Sequence, residues 1–181
     1  MLHGGFNGTL ELRSEGGATR LRGRFPYGTA TTLASGRQEQ FAARAFAARI
    51  DNGADIYLLS GHDFDKPLAS RAAGSLDFRD DDDALTFEAR IDAGTSWAAD
   101  FLAAHKAGLI RGLSPGFNVP PGGERVERRG DGILRTVTSA DLFEISAVTR
   151  PAYPEAQVEA RSWETHQDRQ PYRGPALRWR A

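Results

Sequence analysis

Short runs of alternating apolar and polar residues, cut by glycine or acidic turns, recur along most of this chain. Successive side chains on a strand point to opposite faces, so such runs specify half-buried strands and a core built between sheets. Thr9-Leu10-Glu11-Leu12-Arg13 and the stretch from Ala18 to Phe25 alternate on either side of Gly16-Gly17. Gly74 to Arg79 and Leu85 to Ile91 do the same around Asp80-Asp81-Asp82-Asp83. Each pair reads as a hairpin. The four aspartates lack the glycine and the spaced glutamate of a calcium loop and read as a solvated turn. Ile56 to Leu59, Ile133 to Val137 and Leu142 to Val148 complete the strand candidates. Two stretches change period. From Ser35 to Asn52, Phe41, Ala42, Ala45, Phe46 and Ile50 share one face at helical spacing, with Gly53 as a stop. Thr95 to Lys106 does so through Trp97, Ala98, Phe101, Leu102 and His105, stopped by Gly108.

Composition narrows what such a chain can do. It has 181 residues, a formal net charge of −1 and a pI near 6.4. One core of ordinary size is expected, and no electrostatic footprint for nucleic acid or for an anionic membrane surface. Cysteine is absent, which excludes disulfides, thiol catalysis and thiolate metal sites. No run approaches the roughly 18 apolar residues that cross a bilayer. These features describe a soluble protein made in a cytoplasm. Beyond Val158 the sequence turns polar, arginine-rich and aperiodic, so residues 1–158 are expected to form the domain and 159–181 a flexible tail.

Three polar residues stand where acyl-transfer chemistry needs them. His62 follows the apolar run Ile56 to Leu59, Ser114 sits in Gly112-Leu113-Ser114-Pro115-Gly116-Phe117, and Glu144 interrupts Leu142-Phe143-Glu144-Ile145-Ser146. A serine hydroxyl becomes a competent nucleophile when a neutral imidazole takes its proton and a buried acceptor holds that imidazole in the right tautomer. Each residue has a plainer reading: turn chemistry for His62 and Ser114, an exposed strand face for Glu144. Alternation places Phe143 and Ile145 in the core and Glu144 on the other face. Gly112 to Gly116 also fits the nucleophile elbow of α/β-hydrolases. An elbow runs from strand into helix, however, and three prolines and three glycines between Pro115 and Gly123 forbid the helix. His3, His105 and His166 have no spacing that recruits them to a metal site.

Read together, Leu58 to Ala69, Gly112 to Phe117 and Ala140 to Ala152 resemble, in order and spacing, the signature blocks of the tailed-phage prohead protease family. That family is similar to herpesvirus assemblin. The most specific block is L-x-E-I-S-x-V-T-x-P-A, from Leu142 to Ala152. The resemblance implies His62 as base, Ser114 as nucleophile and Glu144 as the third member of a serine endopeptidase triad, with no cofactor and no metal. The expected fold is α+β, an antiparallel β-barrel core flanked by helices. The implied substrate is the N-terminal extension of the major capsid protein, together with the protease's own tail, and portal or other prohead components are further partners. No nucleic acid or membrane partner is implied, and the oligomeric state is left open. The place of action is the assembling prohead in a bacterial host cytoplasm, whether the encoding element is a phage, a prophage or a gene transfer agent. By analogy with assemblin, backbone N–H groups near Arg150 are the candidate oxyanion donors. A catalytically silent scaffold or capsid-assembly protein of the same fold is the alternative.

Overall fold

The computed structural model describes residues 1–3, 9–15, 18–110 and 112–149. Its elements run in the order β1 (Leu2–His3), β2 (Thr9–Glu15), β3 (Ala18–Pro26), β4 (Thr31–Ala34), β5 (Arg37–Phe41), α1 (Ala47–Asp51), β6 (Tyr57–Ser60), β7 (Asp63–Ser70), β8 (Leu76–Asp80), β9 (Ala84–Ile91), α2 (Ser96–Lys106), β10 (Gly112–Asn118), β11 (Glu124–Arg129), β12 (Gly132–Val137) and β13 (Asp141–Val148). The expected tail and the Arg150 loop lie outside the described residues. Among those described, no helix is long and apolar enough to cross a membrane.

The strands form three sheets, ordered β1-β10-β13-β6-β7, β11-β12-β5-β4 and β2-β3-β9-β8. Their pairings are antiparallel except β12 with β5 and β13 with β6. The α+β expectation holds in a strand-dominated form, but the barrel does not: all three described sheets are open. Each buries its apolar side against the others, so a shared core is built without ladder closure. Leu21 and Phe25 from β3, Phe87 from β9, Leu113 and Phe117 from β10, Phe41 from β5 and Val137 from β12 all belong to it. Phe41 packs on Phe46 and, edge on, against Phe117, with ring centroids 4.9 and 5.2 Å apart. Gly23 permits the closest approach, since a Cβ there would come within 2.2 Å of the Phe87 ring and 2.8 Å of Leu113.

Both predicted hairpins form. β2 pairs with β3 and β8 with β9, and the acidic run behaves as a turn, with Asp81 Oδ1 accepting from the N–H groups of Asp83 and Ala84. The second helix also forms as read. Thr95 caps it by accepting from the Ala98 N–H, Ala98 and Phe101 are buried, and Gly108 ends it in the left-handed region at φ +71°. Trp97 Nε1 donates to the Pro67 carbonyl at 2.9 Å and ties this helix to β7.

The helix expected over 35–52 is largely absent. Its first half is the β4–β5 hairpin, turning at Gly36 with φ +69°, and only Ala47–Asp51 is helical. The cause is Glu39, buried on the same face of β5 as Phe41 and paired with Arg135 across the parallel β12 ladder. Arg135 also bonds Glu124 on β11, with Nε 2.7 Å from Oε2. A buried charge that carries its own counter-ion can occupy a core-facing strand position, which apolar periodicity does not detect.

Candidate active site

The site is assembled on the five-stranded sheet by three neighbouring strands, β10, β13 and β6. Ser114 on β10 lies opposite Ser146 on β13, and Gly116 lies opposite Glu144. Opposed residues of an antiparallel pair share a face, as do residues two apart on one strand. Ser114, Glu144 and Ser146 therefore face the same side, while Leu113, Ile145 and Ala147 fill the core on the other. Gly116 is the residue this layout requires. A Cβ there would meet Glu144 Oε1 at 2.0 Å, so only glycine leaves room for the carboxylate.

His62 arrives from the end of β6. Gly61 and His62 form the two-residue turn between β6 and β7, and both are left-handed, at φ +66° and +65°. That pair of conformations closes a tight hairpin whose twist matches its strands. It is costly for a residue with a side chain, by about 1–2 kcal/mol. Two bonds to β13 hold the tip: the Gly61 N–H donates to the Ala147 carbonyl at 3.1 Å and the His62 N–H to Ser146 Oγ at 2.8 Å. The ring turns inward, with Nδ1 2.8 Å from Glu144 Oε1. A carboxylate only accepts, so Nδ1 is the donor of this contact, and in a neutral ring Nε2 is then the basic nitrogen. The second oxygen of Glu144 accepts from Ser146 Oγ at 2.6 Å.

Burial is uneven across the site. Glu144, Ser146 and Ser114 are fully enclosed, whereas the His62 side chain keeps 22% of its exposure. A carboxylate at 0% exposure needs hydrogen-bond donors, and the imidazole and the Ser146 hydroxyl supply them. Asp63 and Asp65, next to the histidine, are committed to local structure. Asp63 accepts from the Asp65 N–H at 2.9 Å, and the Lys66 ammonium, also at 2.9 Å, holds its carboxyl below the usual carboxylate range. At the same end of the sheet lies a cavity of about 250 Å³, lined by Ser60, Lys66, Trp97, Asp100, Phe101, Ala104 and Ile110.

Several expectations change at this level. Ser114 was expected on a turn and instead lies within strand β10, which also removes the elbow alternative because no helix follows it. Pro115 lies inside this strand, opposite Ile145 of β13. Glu144 is buried rather than on an exposed face. Ile145 is core as expected, but Phe143 is not. A register shift between Gly116 and Phe117 makes Phe143 the extra residue of a bulge, and its ring lies under the Arg49 guanidinium at 4.3 Å. His105 stays on α2 against Phe101, and His166 lies outside the described residues. Sequence reasoning missed Ser146 and the reason for Gly116. The alternation Glu144-Ile145-Ser146 carried the signal for the first, since it puts both polar side chains on one face.

With this geometry in view, comparison with known proteins is decisive at the family level. The model of the caudovirus prohead serine protease family matches residues 9–169. The chain belongs to that family. No curated protein and no solved structure matches it. Membership makes it a serine protease of capsid maturation, acting on capsid protein inside the assembling prohead.

Proposed function

We propose that the protein cleaves peptide bonds with a Ser114–His62–Glu144 triad. The observation that carries this reading is the 2.8 Å contact between His62 Nδ1 and the fully buried Glu144 carboxylate, on the sheet face that Ser114 shares. Ser114 Oγ attacks the substrate carbonyl while His62 Nε2 takes its proton. The imidazolium, stabilised through Nδ1–H by Glu144, then protonates the leaving amine. Water, activated in the same way, releases the acyl group from Ser114. The cavity between β6, β7 and α2 receives a substrate side chain, with Trp97, Phe101, Ala104 and Ile110 as its apolar wall. Backbone N–H groups near Arg150 are the proposed oxyanion donors.

The proposed substrate is the N-terminal extension of the major capsid protein, and the chain after Val158 is proposed as a second, self-cleaved one. Co-expression of the protease with its capsid protein, followed by mass spectrometry, tests this. The wild type yields a shortened capsid protein, and Ser114→Ala, which lowers nucleophile-dependent turnover by about 10⁶, yields only full-length chains of both proteins. Equal trimming by Ser114→Ala would refute the nucleophile assignment.

A further inference from the structure

Ser146 is bonded to two members of the proposed triad at once, and the plan of three ordinary triad residues gives it no part. It is fully buried. Its hydroxyl donates to Glu144 Oε2 at 2.6 Å and accepts from the His62 backbone N–H at 2.8 Å. Its one donor and one of its two acceptor lone pairs are thus given to the orienter and the base. We infer that Ser146 is the positioning residue of this site, a fourth polar member that aims the Glu144 carboxylate at His62 and anchors the His62 backbone in its left-handed turn. The inference rests on the protease reading above.

The physical need is specific. A carboxylate with a free rotation about its last bond can present either oxygen, at a range of angles, to an imidazole. Fixing Oε2 by a donor on the same strand leaves Oε1 on the line to Nδ1, while Gly116 leaves that line clear. The same oxygen of Ser146 holds the N–H of the residue whose ring is being aimed, so ring and carboxylate are referenced to one atom. A site held to a few tenths of an ångström depends on such supporting contacts. His62, at the tip of a two-residue hairpin in a conformation that side chains disfavour, has the greater need of one.

The test uses the full-length protein and a small fluorophosphonate, which forms an O–P bond with the attacking serine as fluoride leaves and the serine proton passes to the base. Labelling rates are measured for the wild type, Ser146→Ala, Ser146→Cys, Glu144→Gln and the two double variants, with thermal melts to confirm folding. Ser146→Ala is expected to label roughly ten- to a hundredfold more slowly than the wild type, the loss of a hydrogen bond to a charged group expressed as a rate. Ser146→Cys keeps the shape with a weak donor and is expected to slow as well, which decides the matter if the alanine variant does not fold. In the Glu144→Gln background either change should cost at least about threefold less than in the wild type, because the carboxylate being aimed is gone and only the anchoring of His62 is left to lose. A purely structural contribution would multiply instead, and that outcome overturns the inference, as does labelling of Ser146→Ala within about twofold of the wild type. A wild type that never labels overturns the protease reading itself, a result distinct from either.

Discussion

In the proposed triad His62 would carry two burdens, one chemical and one conformational, and they are separable. Its ring faces Glu144 while its backbone sits at φ +65°, where glycine is at ease and other residues are not. His62→Gly and His62→Ala should therefore both abolish turnover, but the glycine variant should be the more stable by about 1 kcal/mol. Urea unfolding of the two proteins checks this, and an alanine variant at least as stable as the glycine one would contradict the conformation described. The candidate residues were legible because types and order survive in a linear string: histidine after an apolar run, serine before Pro-Gly, glutamate within a strand. Their surroundings were not. Ser114 looked like turn chemistry because Pro115 and Gly116 favour turns, and the need for Gly116 appears only when the Glu144 carboxylate is laid across it from another strand. Ser146 was passed over because a serine in a strand has no property of its own that marks it.

At the level of elements, local patterns were read correctly wherever local physics decides. The hairpins β2–β3 and β8–β9 follow from alternation around turn residues, and α2 from its Thr95 cap and its Gly108 stop. The failure over 35–52 has a single cause. Phe41, Ala45, Phe46 and Ile50 are all buried, at helical spacing, yet the strand β5 alternates through Glu39 and Phe41, and the buried glutamate pairs with Arg135, 96 residues away. Arg135 holds Glu39 and Glu124 together, so Arg135→Met removes the guanidinium that both carboxylates bond. That change is expected to cost about 3–5 kcal/mol. Adding Glu39→Leu and Glu124→Gln should recover much of the loss, since replacing a whole buried ion cluster is often close to neutral. Chemical denaturation of the single and triple variants is the check, and a single variant within about 0.5 kcal/mol of the wild type would mean that the cluster does not hold β5 in place.

For the molecule as a whole, three open sheets share one core, and the five-stranded sheet brings residues from β6, β10 and β13 onto one face. The barrel was expected from a family resemblance, and no local pattern in the sequence distinguishes closed sheets from open ones packed together, because both alternate in the same way. What the sequence did convey at this scale was the family, through blocks whose spacing survives the distances between them. Ser114 is enclosed in the described state. The central claim is that Ser114 is the nucleophile and that His62 and Glu144 activate it. Its most direct test is to treat the full-length protein with a fluorophosphonate and locate the adduct by peptide mass spectrometry. The account predicts one modified residue, Ser114, with His62→Ala unlabelled and Glu144→Gln labelled at a reduced rate. An adduct on another serine, or labelling of Ser114 that proceeds undiminished without His62, would contradict it.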